Sequence, residues 1–126
     1  MHKTLDTQYV HLELRNDLLI GKYKKGLKMT LEMAKEIVRI RKEFTAHKPF
    51  RALVYNLGVI SWDKKARDYL ASEEAVEGII AGAIVLDSAV GVMLVNFYLS
   101  VSKPKVPARM FTKTEPALKW LEQFRK

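Results

Sequence analysis

Apolar and polar positions along this chain switch repeatedly between a two-residue and a 3.6-residue period. Tyr9-Val10-His11-Leu12-Glu13-Leu14 alternates in part, as a half-buried strand does. Asn16-Asp17 is a turn signal, and residues 18–23 read as a second strand, so the chain opens with a hairpin that Lys24-Lys25-Gly26 ends. Thr30 is placed to cap a helix over residues 31–45, with Glu32 in its first turn and an apolar stripe of Met33, Ala34, Ile37, Val38, Ile40 and Phe44. Lys48-Pro49 stops it. Residues 51–57 form a third strand and Gly58 turns the chain. Ser61 caps a helix containing Trp62, Ala66, Tyr69 and Leu70. Ser72-Glu73-Glu74 starts a short further segment that Gly78 breaks. The unbroken apolar run 79–86 has the length and β-branching of a strand buried on both faces. Ser88 or Asp87 then caps a helix that runs to about Ser102 and ends at Lys103-Pro104. Residues 108–112 form a last strand. Thr114 caps a final helix with Pro116 in its first turn and Ala117, Leu118, Leu121 and Phe124 on its apolar face.

The predicted order is β-β-α-β-α-β-α-β-α. Strands alternating with helices imply parallel crossovers, so the fold class is α/β, with a mixed sheet of about five strands and packed helices. No repeat, linker or low-complexity stretch interrupts the chain, and 126 residues suit one domain spanning 1–126.

Residues 79–101 carry Asp87 as their lone charge and are long enough to cross a bilayer. A mid-span aspartate costs roughly 3 kcal/mol, which the surrounding Leu, Ile, Val and Phe can offset. Two other features argue against a span. Asp87-Ser88 is a helix-start signal where a strand must end. The amphipathic helices and alternating strands elsewhere need an apolar central strand to pack on. The expectation is no transmembrane segment.

Composition narrows the chemistry. With no cysteine, disulfides, thiolate catalysis and Cys-based metal sites are excluded. Hydrophobic residues are 48% and charged residues 29%, as in a folded globular chain. The N-terminus lacks a signal-peptide core, so a cytoplasmic location is expected. The net charge of +8 raises nucleic acid or anionic membrane as partners, but the basic residues are spread and no nucleic-acid motif accompanies them, which argues against nucleic acid.

Candidate catalytic and metal groups are few. His11 and Glu13 share one strand face, the spacing of two metal ligands or of two exposed polar positions. His2 and His47 have no partner at ligand spacing. Glu73 and Glu74 suit a first helical turn and Asp87 a cap, while Asp63 and Asp68 stand in no recognisable triad. Gly78, Gly82 and Gly91 do not make a phosphate-cradling loop. The expectation is no enzyme, no metal and no cofactor.

The helix 88–102 is more informative. Val90, Met93, Leu94, Phe97 and Val101 share the face that packs on the sheet. Val92, Val95 and Leu99 make a second apolar stripe, interrupted by Asn96 and Ser100. An apolar back face calls for a cover: another part of the chain, a second subunit or an apolar ligand. Val92, Val95, Asn96 and Leu99 are therefore the candidate interface or ligand-facing positions, of a homodimer or of an apolar-ligand or lipid-binding protein that uses this helix as a lid.

From Val54-Tyr55-Asn56-Leu57 through Arg67, and again over 83–120, the chain resembles the SpoIIAA-like, or STAS, superfamily of anti-sigma-factor antagonists. It is most similar to a small single-domain branch of unassigned function. The shared features are a strand ending in an acidic or amide residue, a loop and a helix like Ala66-Arg67-Asp68-Tyr69-Leu70-Ala71-Ser72. Further blocks are Val85-Leu86-Asp87-Ser88, Asn96-Phe97-Tyr98-Leu99, Lys103-Pro104 and Arg109-Met110-Phe111-Thr112. The resemblance implies a bacterial regulatory module acting through protein–protein contacts. In the antagonists a serine at the start of the helix after the third strand is phosphorylated, in a pattern close to Asp-Ser-Ser-Gly. Here that stretch is Asp63-Lys64-Lys65-Ala66, and lysine cannot accept the phosphate. Asn56, Ser61, Asp63, Lys64 and Lys65 are the candidate switch-loop positions, with the phosphoserine switch itself expected to be absent.

If the second stripe covers a subunit interface, Val95→Glu with Leu99→Glu leaves a folded protein of smaller assembly size. Size-exclusion chromatography with light scattering reads this directly, and a monomeric wild-type chain would refute self-association.

Overall fold

The computed structural model describes residues 2–88 and 105–125. The helix expected over 88–102, with Val92, Val95, Asn96 and Leu99, lies outside them.

The elements are β1 (His2–Asp6), β2 (Val10–Arg15), β3 (Leu18–Tyr23), β4 (Lys28–Met29), α1 (Leu31–Phe44), β5 (Phe50–Tyr55), β6 (Ser61–Trp62), α2 (Lys64–Leu70), α3 (Glu73–Val76), β7 (Ile79–Val85), β8 (Ala108–Phe111) and α4 (Thr114–Glu122). Six strands form one sheet in the order β1-β2-β3-β5-β7-β8. The first three pair antiparallel, and β3, β5, β7 and β8 run parallel. The α/β mixed sheet is thus as the pattern predicts, with one more antiparallel strand. β1 escapes the pattern because Leu5 is its lone apolar residue. It forms because β2 offers an edge, with Leu5 opposite Leu12 and Asp6 opposite His11.

The loop Asn16-Asp17 closes the β2–β3 hairpin. Asn16 takes the left-handed conformation (φ 54°) that asparagine tolerates. α1 begins at Thr30, whose Oγ1 accepts the Met33 N–H at 3.3 Å, and buries Ala34, Ile37 and Val38. It stops where Ala46 and His47 both turn left-handed (φ 53° and 58°), a reversal that carries the chain into β5.

Two clusters fill the two faces of the sheet. On one, Val10, Leu12, Leu14, Leu19, Phe50 and Ala52 pack with Met29, Ala34, Ile37 and Ala66 from the α1 and α2 side. On the other, Leu53, Ala81, Ala83 and Val85 pack against Ala117 and Leu121 of α4. The alanines let α4 approach closely. β5 therefore contributes to both clusters, and its residues from Phe50 to Leu53 are all buried. β7 differs from the expectation of two buried faces. Ala81, Ala83 and Val85 are buried, whereas Ile79, Ile80, Gly82 and Ile84 are part-exposed, because α4 covers one face only among the described residues.

β7 ends at Val85, ahead of Asp87, and is paired on both sides, by β5 and β8. A continuous helix through residues 79–101 is thereby excluded. Among the described residues, no helix is long and apolar enough to cross a membrane.

Arg51 ties these parts together. Its side chain is 7% exposed. Its Nε and Nη2 donate to the two Asp17 carboxylate oxygens at 2.9 and 2.8 Å, and Nη1 donates to the Leu121 carbonyl at 3.2 Å. Glu122 Oε2 lies 3.5 Å from Nη1. Asp17 carbonyl also accepts the Arg51 N–H at 2.8 Å. The hairpin turn, the central strand and the end of α4 thus meet at one guanidinium. Hydrogen bonds from Arg51 hold the Asp17 carboxyl below its ordinary value of 3.8.

Arg51→Met should lower stability by about 2–3 kcal/mol, somewhat less than for a fully buried pair because water can reach Asp17. Asp17 is depressed in the folded state, so its contribution is present above its unfolded pKa and is lost as the folded protein takes up that proton on acidification. Urea unfolding across acid pH should show a steeper loss of stability for wild type than for Arg51→Met below about pH 4. Parallel pH profiles would contradict the pairing.

Candidate functional site

In sheets of this kind, ligands and partners gather beyond the carboxyl ends of the parallel strands. Here those ends are Tyr23, Tyr55, Val85 and Phe111. Two of the loops that leave them are stitched together. The Gly26 N–H donates to the Gly58 carbonyl at 2.8 Å, the Ile60 N–H to the Leu27 carbonyl at 2.8 Å and the Asp63 N–H to the Met29 carbonyl at 2.9 Å. Between these bonds β4 and β6 pair in parallel, Lys28 with Ser61 and Met29 with Trp62. Met29 is fully buried, and Trp62 packs edge-on against Tyr23 with ring centres 5.6 Å apart. Gly26 supplies the left-handed turn (φ 82°). Gly58 supplies the close approach: a Cβ there would stand 2.7 Å from Lys25 Cγ and 3.0 Å from Lys25 Cα. The result is a loop braced along its length that still leaves Leu57 48% and Ile60 64% exposed.

All five candidate switch-loop positions fall in this region. Asn56 leaves β5 half-buried, its N–H bonded to the Val85 carbonyl at 3.0 Å. Ser61 does not cap a helix. It lies exposed in β6, and Trp62 lies there too rather than in the following helix, because the pairing with β4 claims both residues. The N-cap position belongs to Asp63, whose side chain makes no capping hydrogen bond. Lys64 and Lys65 open α2 in full exposure, Lys64 Nζ reaching Asp68 at 2.8 Å. Ser72 Oγ caps α3 through the Ala75 N–H, as expected.

Across the sheet, Tyr55 hydroxyl lies 2.6 Å from Thr114 Oγ1, and Lys22 Nζ sits over the Tyr55 ring. Thr114 is the first residue of α4 rather than its cap. Lys113 holds the cap position, and the threonine hydroxyl is turned to the tyrosine instead.

His11 and Glu13 do share a face, but each is engaged. His11 Nδ1 lies 3.1 Å from Asp6 Oδ1, which also accepts from Lys24 Nζ at 2.6 Å. Glu13 Oε2 accepts from Arg15 Nε at 2.6 Å and lies 2.7 Å from His2 Nε2. Hydrogen bonds from Lys24 and His11 lower the Asp6 pKa, and those from Arg15 and His2 lower that of Glu13. Among the described residues, no three His, Asp or Glu side chains are grouped to hold a metal.

Residues 12–125 match the family model described as Domain of unknown function (DUF7793). The chain belongs to that family. No curated protein matches it. Among solved structures it is similar to an uncharacterised protein of the DUF3478 family from Shewanella loihica PV-4, which has a SpoIIAA-like fold. The two share 16% identity with a TM-score of 0.65, over 96% of this chain and 95% of the other. That likeness is one of fold, and the fold of this DUF7793 chain is SpoIIAA-like.

The resemblance pointed to positions between Asn56 and Lys65 as candidates, and nothing in it marked the exposure of the loop tip. Leu57 read as the end of a strand. The usable signal was an apolar pair, Val59-Ile60, directly after a turn glycine, where no strand or helix period continues. Gly58→Val should lower stability by about 1–3 kcal/mol, because its side chain meets Lys25 backbone and parts β4 from β6. Tryptophan fluorescence should report the change at Trp62. A variant as stable as wild type would show that the two loops are not braced together.

Proposed function

We propose that this chain is a non-enzymatic, cytoplasmic regulatory module. It acts through protein–protein contacts made at the exposed start of α2 and the 88–102 segment, as a homodimer, and without a phosphoserine switch. The observation that carries the reading is Asp63-Lys64-Lys65-Ala66 at the start of α2, on a SpoIIAA-like fold. The resemblance puts the phosphorylated serine of the antagonists at this point of the fold. Here Lys64 and Lys65 are exposed cations, and Ser61 lies upstream in β6. A binding surface that starts positively charged cannot be switched off by adding phosphate to the same side chains. Its contacts are therefore constitutive, or are regulated by partner supply.

The hydroxyl nearest in sequence, Ser61, is exposed and stands two residues before Asp63. Affinity capture from the native host should return the same stoichiometric partner with wild type, Ser61→Ala and Ser61→Asp, whereas Lys64→Glu with Lys65→Glu should lose it by tenfold or more on the scale of paired interfacial charges. Loss of the partner with Ser61→Asp alone would restore a phospho-switch. A wild-type chain that returns no stoichiometric partner would overturn the module reading.

A further inference from the structure

We propose that the loop carrying Leu57 and Ile60 docks the protein on an anionic lipid surface. This goes beyond the partner-binding reading and does not rest on it. The two apolar side chains are among the most exposed large hydrophobic residues described, at 48% and 64%, and they sit on one short loop. They protrude from backbone that three hydrogen bonds hold to the β3–α1 connection. Exposure is thus a property of the folded state and not of a frayed segment.

The charge around the tip is basic. Lys25 packs directly against Gly58, between Leu57 and Val59. Lys28 is exposed and paired in register with Ser61, next to Ile60. Among the described residues, neither lysine is in an ion pair, whereas Lys24 is bound to Asp6 and Lys64 to Asp68. Asp63 is the acidic residue nearest in sequence to the tip, and the whole chain carries +8. Exposed apolar side chains flanked by unpaired lysines suit an interface in which hydrocarbon lies just beneath phosphate. A folded protein partner would need a complementary groove for each side chain. The unpaired lysines beside the apolar pair match the negative surface of an anionic bilayer, and this charge complementarity favours lipid. Docked in this way, the loop would hold the neighbouring start of α2 close to the membrane surface.

The test is co-sedimentation of the full chain with vesicles of phosphatidylcholine alone, and of phosphatidylcholine mixed with phosphatidylglycerol. Wild type should partition onto the mixed vesicles only, and less as salt rises. Ile60→Asp with Leu57→Asp should reduce partitioning by at least tenfold while circular dichroism remains that of wild type. Lys25→Gln and Lys28→Gln should each reduce it about fivefold. As a control for the overall +8 charge, Lys119→Gln, on α4, should change it little. Three outcomes would overturn the proposal. These are no association with the mixed vesicles, equal association with neutral ones, and a loss that is the same for Lys119→Gln as for Lys25→Gln. Failure here leaves partner capture through α2 unaffected.

Discussion

One buried guanidinium holds the two halves of this sheet in register. Arg51 stands on the central strand, where apolar residues occupy every neighbouring position, and an unpaired cation there would be costly. Its partners come from places that share no local structure: the β2–β3 turn through Asp17, and the last turn of α4 through the Leu121 carbonyl and Glu122. The antiparallel half of the sheet is thereby fastened to the parallel half, and α4 is fixed across β5 and β7. Ala81, Ala83 and Ala117 pack together there. A hydrophobic pair of equal volume could give similar stability. It would not specify the position of the turn and the helix end at once, because dispersion contacts lack the fixed directions of a forked donor.

With that frame set, the carboxyl ends of β3, β5, β7 and β8 lie side by side, and the loops that follow β3 and β5 are braced against each other. The carboxylates on the opposite half of the sheet, Asp6 and Glu13, are each held in their charged form by hydrogen-bonding cations. Tyr55 is turned to Thr114. Among the described residues, what faces outward at the loop end is a braced apolar tip and a set of lysines, the features on which the proposed partner and membrane contacts rest. Membership of DUF7793 and the likeness to a DUF3478 structure place this surface on a SpoIIAA-like fold. In that setting the lysines of α2 mark the chain off from the serine-bearing pattern that it otherwise resembles.

Much of the fold could be read from local pattern because local physics decides it. Thr30 caps α1, residues 18–23 form β3, and β7 begins at Ile79 and ends just before Asp87, since each follows from periodicity and a capping or breaking residue. The misreadings share another cause. β1 has almost no apolar content and exists because β2 offers it an edge. β4 and β6 are two residues long, below any period, and exist because Gly58 admits Lys25. That pairing turned Ser61 from an expected cap into a strand residue. Thr114 likewise looked like a cap and instead serves Tyr55, fifty-nine residues away. Arg51 and Asp17 are thirty-four residues apart, a separation at which no spacing rule operates. The candidate switch-loop positions were singled out through resemblance. The exposure of Leu57 and Ile60 was not, because burial is decided by neighbours that the sequence does not place next to them.

The central claim is that this chain works by holding a partner at the start of α2. Amine-reactive crosslinking in living cells of the native host, followed by mass spectrometry, tests it most directly, since Lys64 and Lys65 are exposed and report their own neighbours. The account predicts reproducible crosslinks from Lys64 or Lys65 to one partner protein. Crosslinks from these two lysines that stay within the chain, while lysines elsewhere on the surface reach a partner, would contradict it.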